Sequence, residues 1–134
     1  MKPLFFTLFS ILFTAYSASA QVVVNKDLKP DSANYANVYV KTLHSDEKSS
    51  VYAIWVKQAV KLHKHEHHTE VVAILAGKGV MTVGESERKI RKGDIVIIPF
   101  NTPHEVRTTS RKPLKAISTQ SPVFTGADRI WLTK

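Results

Sequence analysis

Cysteine is absent from all 134 residues of the chain. That excludes disulfides, a lipid anchor on cysteine, and thiolate nucleophiles or metal ligands. A metal site would have to be built from imidazole, carboxylate and water, donors that suit Zn, Fe, Mn, Ni or Cu. After residue 20 there is no apolar run long enough to span a membrane as a helix. No window carries a convincing 3.6-residue hydrophobic period, and there is no internal repeat. Basic residues outnumber acidic ones 19 to 11, but Lys57, Lys61, Lys64, Lys78, Arg88, Lys89, Arg91 and Lys92 are scattered rather than gathered in a block. The pattern argues against nucleic acid as a partner. It leaves a positive field that favours solubility or attracts small anions.

The first twenty residues read as a leader. One lysine precedes an apolar and aromatic run from Leu4 to Phe13, and Ala18-Ser19-Ala20 fits a small-residue cleavage site. The run is shorter than the roughly 20 apolar residues of a spanning helix, and Thr7 and Ser10 interrupt it. Cleavage would leave Gln21 as the mature N-terminus, in a secreted or periplasmic protein with no membrane span. Residues 21–35 read as an N-terminal arm in which Val22–Val24 could form an edge or partner-swapped strand. Residues 36–134 read as one domain.

That domain is written in short, β-branched segments. Strands are expected near 38–43, 51–57, 60–65, 70–76, 79–83, 87–91, 95–99, 104–108, 114–119 and 129–132. Turn residues separate them, among them Gly77-Lys78-Gly79, Gly84-Glu85-Ser86 and Lys92-Gly93-Asp94. The class is all-β, a sandwich or barrel. Trp55 and Trp131 read as core or subunit-interface aromatics, and Phe100 as a pocket lip or ordinary loop packing.

Four of the six histidines fall within His63–His68. His63 and His65 are two apart, so on a strand they project from one face. Four polar residues then form a turn, and Glu70 opens the returning strand as a third ligand or a general base. Loop length favours this register over the competing pair His65 and His67. It leaves His67 and His68 as solvated turn residues. Downstream, Pro99 and Pro103 stiffen the loop before His104 and make it a positioned residue, suited to be a fourth ligand. A loose histidine-rich metal sink is the competing reading, and it has no use for His104.

Together these segments resemble the cupin family. The first cupin motif, G-x5-H-x-H-x3,4-E-x6-G, is matched by His63, His65, Glu70 and Gly77, with Lys57 in place of the opening glycine. The second, G-x5-P-x-G-x2-H-x3-N, is matched by Gly93, Pro99 and His104. Asn101 replaces its central glycine, a mild change because Asn tolerates a left-handed backbone. Thr108 replaces its final asparagine. The resemblance implies a single double-stranded β-helix, or jelly-roll, barrel. It further implies a divalent transition metal held by His63, His65, Glu70 and His104, with Glu70 also a candidate proton shuttle, and a homodimer joined through N-terminal strands. Two functions stay open. One is an enzyme acting on a small anionic molecule such as a sugar acid or carboxylate. The other is a non-catalytic binder of a small ligand or metal.

Overall fold

The computed structural model describes residues 20–133. The expected leader therefore lies outside the described residues, Ala20 excepted. Ten strands follow in order: β1 (Val38–Ser45), β2 (Ser50–Val56), β3 (Ala59–His65), β4 (Thr69–Ala76), β5 (Lys78–Val83), β6 (Ser86–Arg91), β7 (Ile95–Ile98), β8 (His104–Thr108), β9 (Leu114–Ser121) and β10 (Arg129–Trp131). All ten expected strands are present, each within one or two residues of its expected bounds. No helix among the described residues is long and apolar enough to cross a membrane.

The strands form two five-stranded sheets, ordered β1-β2-β9-β4-β7 and β10-β3-β8-β5-β6, with antiparallel pairing throughout. This is the jelly-roll architecture that the sequence led us to expect. Neighbours within a sheet come from distant parts of the chain, so the topology brings β3, β4, β8 and β9 together around one interior. Two strands show how that interior is graded. On β9 the buried residues alternate as Leu114, Ala116, Ser118 and Gln120, so the inward face passes from apolar to polar along the strand. On β4 the facing series is Ile74, Val72 and Glu70, in register with Ala116, Ser118 and Gln120. Period-two alternation thus gives the barrel one hydrocarbon end and one polar end.

The hydrocarbon end is the main core, where Val56, Ile74, Met81, Ile90, Ile98, Leu114 and Ala116 pack together. Burying side chains of this kind contributes about 1.5–3 kcal/mol each for the larger ones. A second cluster lies on the outer face of β2, where Leu28 of the arm covers Ala53 and Trp55 with help from Tyr35 and Tyr39. Lys115 fastens the arm by bonding the carbonyls of Asn25 and Leu28. Trp55 is therefore a core residue, as expected. Val22–Val24, however, pair with no strand among the described residues, and Val22 is 90% exposed. At Leu28 the arm lies on a sheet face instead of along a sheet edge.

Gly77 shows why the first motif ends in glycine. It takes φ +82°, and a Cβ there would lie 2.8 Å from the carbonyl oxygen of Pro113. Asn101 has φ 58°, the left-handed conformation expected of the residue that stands in for the second motif's glycine.

Candidate metal centre

Three strand ends meet at the polar end of the barrel. β3 closes with His63 and His65 on one face, and β8 opens with His104 directly opposite His63. A register shift on β3 between Val60 and His63 re-aims the strand just before the pair. Glu70, the second residue of β4, comes in from the other sheet. All four side chains are buried. Ring nitrogens of His63, His65 and His104 lie within 4.8 Å of one another. Oε2 of Glu70 is 3.4 Å from Nε2 of His104 and 3.7 Å from Nε2 of His65. The four residues picked from the sequence are thus brought to one place.

Their hydrogen bonds fix which atoms face inward. Nδ1 of His63 donates to the carbonyl of Lys61 at 2.8 Å, and Nδ1 of His104 donates to that of Thr102 at 2.9 Å. A neutral imidazole with its proton on Nδ1 keeps a lone pair on Nε2. Burial, reinforced by repulsion from His104, pushes the pKa of His63 down to about 4. Burial also pushes His65 down to about 3, against the attraction of Glu70. Burial alone would raise the Glu70 pKa, but the close approach of His104 and the hydrogen bond from Ser118 outweigh it and hold the carboxyl below its ordinary range. Oε1 of Glu70 accepts from the Ser118 hydroxyl and from Nε2 of Gln120. At neutral pH the cluster therefore sets neutral His63 and His65 beside one carboxylate. This donor set suits a divalent ion.

The fit can be tested on the orphaned atoms. Nε2 of His65 and Nε2 of His104 are buried without a hydrogen-bond partner. A buried unsatisfied polar group costs about 1–3 kcal/mol. Lone pairs converging on one point are what a bound cation would satisfy, and the residues present fit one.

The turn after β3 departs from expectation. His67 is exposed, but His68 is only 2% exposed, so it is not a solvated loop residue. Its Nδ1 lies 2.8 Å from Oδ2 of Asp128, whose Oδ1 is 3.8 Å from Nδ1 of His65. The physical reason is period two again: His68 stands two residues before Glu70 and turns to the same inward side. That signal was present in the sequence. Asp128 carried none, because it precedes β10 in the last turn of the chain and reaches the site only through the pairing of β10 with β3. Ser118 and Gln120 were also missed, although their spacing on β9 marks them as inward. His65, His68 and Asp128 form a second group with metal-binding atoms. It shares His65, however, and the close His68–Asp128 contact already pairs two of its members.

A cavity of about 320 Å³ opens beside the four residues and continues between the sheets. Its walls include Val56, Val72, Ile74, Met81, Val106 and Leu114, with Arg129 and Trp131 also on its lining. Trp131 is therefore not a core residue. It is 57% exposed, and its ring centroid is 5.2 Å from that of His63. Phe100, 63% exposed, is not among the residues lining this cavity.

The profile of the cupin domain matches residues 50–119. The chain belongs to the cupin family. A relative, an uncharacterized protein of Methanocaldococcus jannaschii, is 36% identical over 67 residues, covering 50% of this chain and 54% of its own length. The chain thus spans about half the length of that relative. Among solved structures, KdgF from Halomonas superposes with a TM-score of 0.69 at 14% identity, over 81% of this chain and 99% of KdgF. Pac13, a nucleoside dehydratase of Streptomyces, superposes with a TM-score of 0.65 at 15% identity, over 74% of this chain and 81% of its own. These likenesses establish the cupin fold.

Proposed function

We propose that this cupin is an exported metal protein that takes a small organic anion at a centre formed by His63, His65, Glu70 and His104. The observation that carries the reading is the convergence of buried, unpartnered imidazole nitrogens on the Glu70 carboxylate. A divalent ion there would supply Lewis-acid polarisation of a substrate oxygen. The chain's own residues do the rest. Backbone carbonyls of Lys61 and Thr102 hold two rings in one tautomer, and Ser118 and Gln120 hold one oxygen of Glu70 so that the other faces the site. A carboxylate in that position can accept a proton from a ligand bound beside it. The neighbouring hydrocarbon walls exclude water. A solved neighbour that is a nucleoside dehydratase supports catalysis as the favoured outcome of this architecture, by analogy of fold alone.

Capture without turnover is the second reading. It is favoured by the pinned Oε1 of Glu70, which limits the carboxylate's freedom to leave the ligand set. Metal analysis of protein purified from its native compartment tests the centre, with one tightly bound ion per chain expected. A screen of carboxylates and sugar acids at full metal occupancy then separates the two readings, because binding without product selects capture. Mass spectrometry of the exported protein should find Gln21 at the N-terminus, and light scattering should give the mass of a homodimer.

A further inference from the structure

β10 places two side chains at the mouth of the cavity that the metal centre does not use. Residues directly opposite in an antiparallel pair project from the same face. Arg129 stands opposite His65, and Trp131 opposite His63. Both line the cavity. The Arg129 guanidinium lies 5.0 Å from the Phe124 ring and 5.7 Å from that of Trp131. Two aromatic faces thus flank its charge, while its Nε is buried without a hydrogen-bond partner. A planar guanidinium offers paired donors that match a carboxylate edge. Beyond it the chamber is walled by Val, Ile, Leu and Met side chains, with Glu105 and Gln120 the polar lining residues outside the metal centre and β10.

Resting on the metal-centre reading, we infer that β10 forms an anion subsite and that the ligand is a small carboxylate with a hydrocarbon body. The carboxylate sits between Arg129 and the histidine cluster. Its apolar part enters the chamber walled by Val56, Val72, Met81 and Leu114, and Trp131 covers the mouth. A sugar acid satisfies the Arg129 end but leaves its hydroxyls facing hydrocarbon, where each unpaired polar group is penalised. The subsite therefore selects against polyols.

The test is calorimetric titration of the full mature chain, loaded with Zn, with hexanoate, 1-hexanol and glucuronate. Tryptophan fluorescence is followed in parallel. Only two tryptophans occur, and Trp55 is buried in the second core, so exposed Trp131 reports occupancy of the mouth. Hexanoate should bind about tenfold or more tighter than 1-hexanol, as a charge-assisted hydrogen bond would give. It should also change the fluorescence of the wild type but not of W131F. R129Q should reduce the preference for hexanoate to about twofold or less, and R129K should restore part of it. Equal binding of hexanoate and hexanol, or an R129Q variant that keeps the preference, overturns the anion subsite. Glucuronate binding as tightly as hexanoate overturns the hydrocarbon-body assignment. Metal content measured on the same samples separates the two levels. Full metal occupancy with no carboxylate preference defeats only the subsite. Wild type without metal defeats the centre, and the Arg129 arm is then read on the metal-free protein, where the guanidinium charge persists.

Discussion

His65 sits between two groups that the fold secures by different means. On its Nε2 side are His63, His104 and Glu70, each set by a strand end and, for the other two imidazoles, by a backbone carbonyl only two residues away. On its Nδ1 side are His68 and Asp128, joined by a side-chain contact that spans 60 residues of sequence. Local backbone anchors hold a ligand's direction even when neighbouring side chains change. A carboxylate delivered by the last turn of the chain holds only while β10 stays docked. The first group is a rigid donor set, and the second is a support that adjusts one member of it.

Removing a member of the first group should have the largest effect. H104A and H63A should each abolish stoichiometric metal binding, a loss larger than the roughly 10–100-fold typical of outer-shell changes. H67A should leave it unchanged, because that side chain is exposed. Calorimetric titration of the metal-free protein decides the matter. Unchanged stoichiometry in H104A would remove the four-residue centre.

Acid should come next, because both groups share an imidazole that the fold keeps neutral. The unfolded chain takes up protons near pH 6.5, but His63 in the folded chain does so only near 4 and His65 near 3. Between those limits the unfolded state binds more protons, so stability rises with pH. It is fully present above 6.5, falls progressively below that pH, and is wholly lost once pH has passed 4 for His63 and 3 for His65. At about 1.4 kcal/mol per pKa unit, the complete loss is on the order of 8 kcal/mol for the pair. Urea unfolding in chelator at pH 7.5, 5.5 and 4.5 should show this fall. A flat profile would mean the imidazoles are solvated.

D128N should then separate the two groups. A neutral amide cannot support His65 as a carboxylate does, so metal affinity should drop about 10–100-fold with stoichiometry kept. H68A should lower affinity less, since it removes a ring that packs 4.1 Å from that of His65 but leaves the Asp128 carboxylate in place. If D128N binds metal as wild type does, the second group has no hold on the first.

The same contrast explains what could be read from the sequence. All ten strands were legible because β-branched segments alternate between well-marked turns, and the four centre residues were legible because their spacing is set within single strands. His68 was misread as solvated, because a run of charged and imidazole residues looks like a loop until its phase is counted back from Glu70. Asp128 and Arg129 could not be placed at the site. Their position follows from β10 pairing with β3, and nothing in a three-residue strand states its partner. For the arm, nothing in the sequence stated that Leu28 would cover Trp55. Residues placed by period can be read, and residues placed by docking cannot.

The smallest predicted effect concerns the loop that delivers His104. Asn101 holds φ 58°, its N–H bonds the carbonyl of His65, and its side chain accepts from Lys64 at 2.8 Å. The Lys64 contact is exposed and adds little. What matters is the left-handed backbone, which costs a residue with an ordinary Cβ about 1–2 kcal/mol. N101A should therefore destabilise the fold by about that amount, while N101G, which restores the motif's glycine, should be near neutral. Neither should change metal stoichiometry, because His104 is held by Thr102 and its pairing with His63, not by the Asn101 side chain. If N101A instead lost metal at unchanged stability, the loop would be aiming His104 directly. The rigid group would then depend on a distant backbone as much as the adjustable one does.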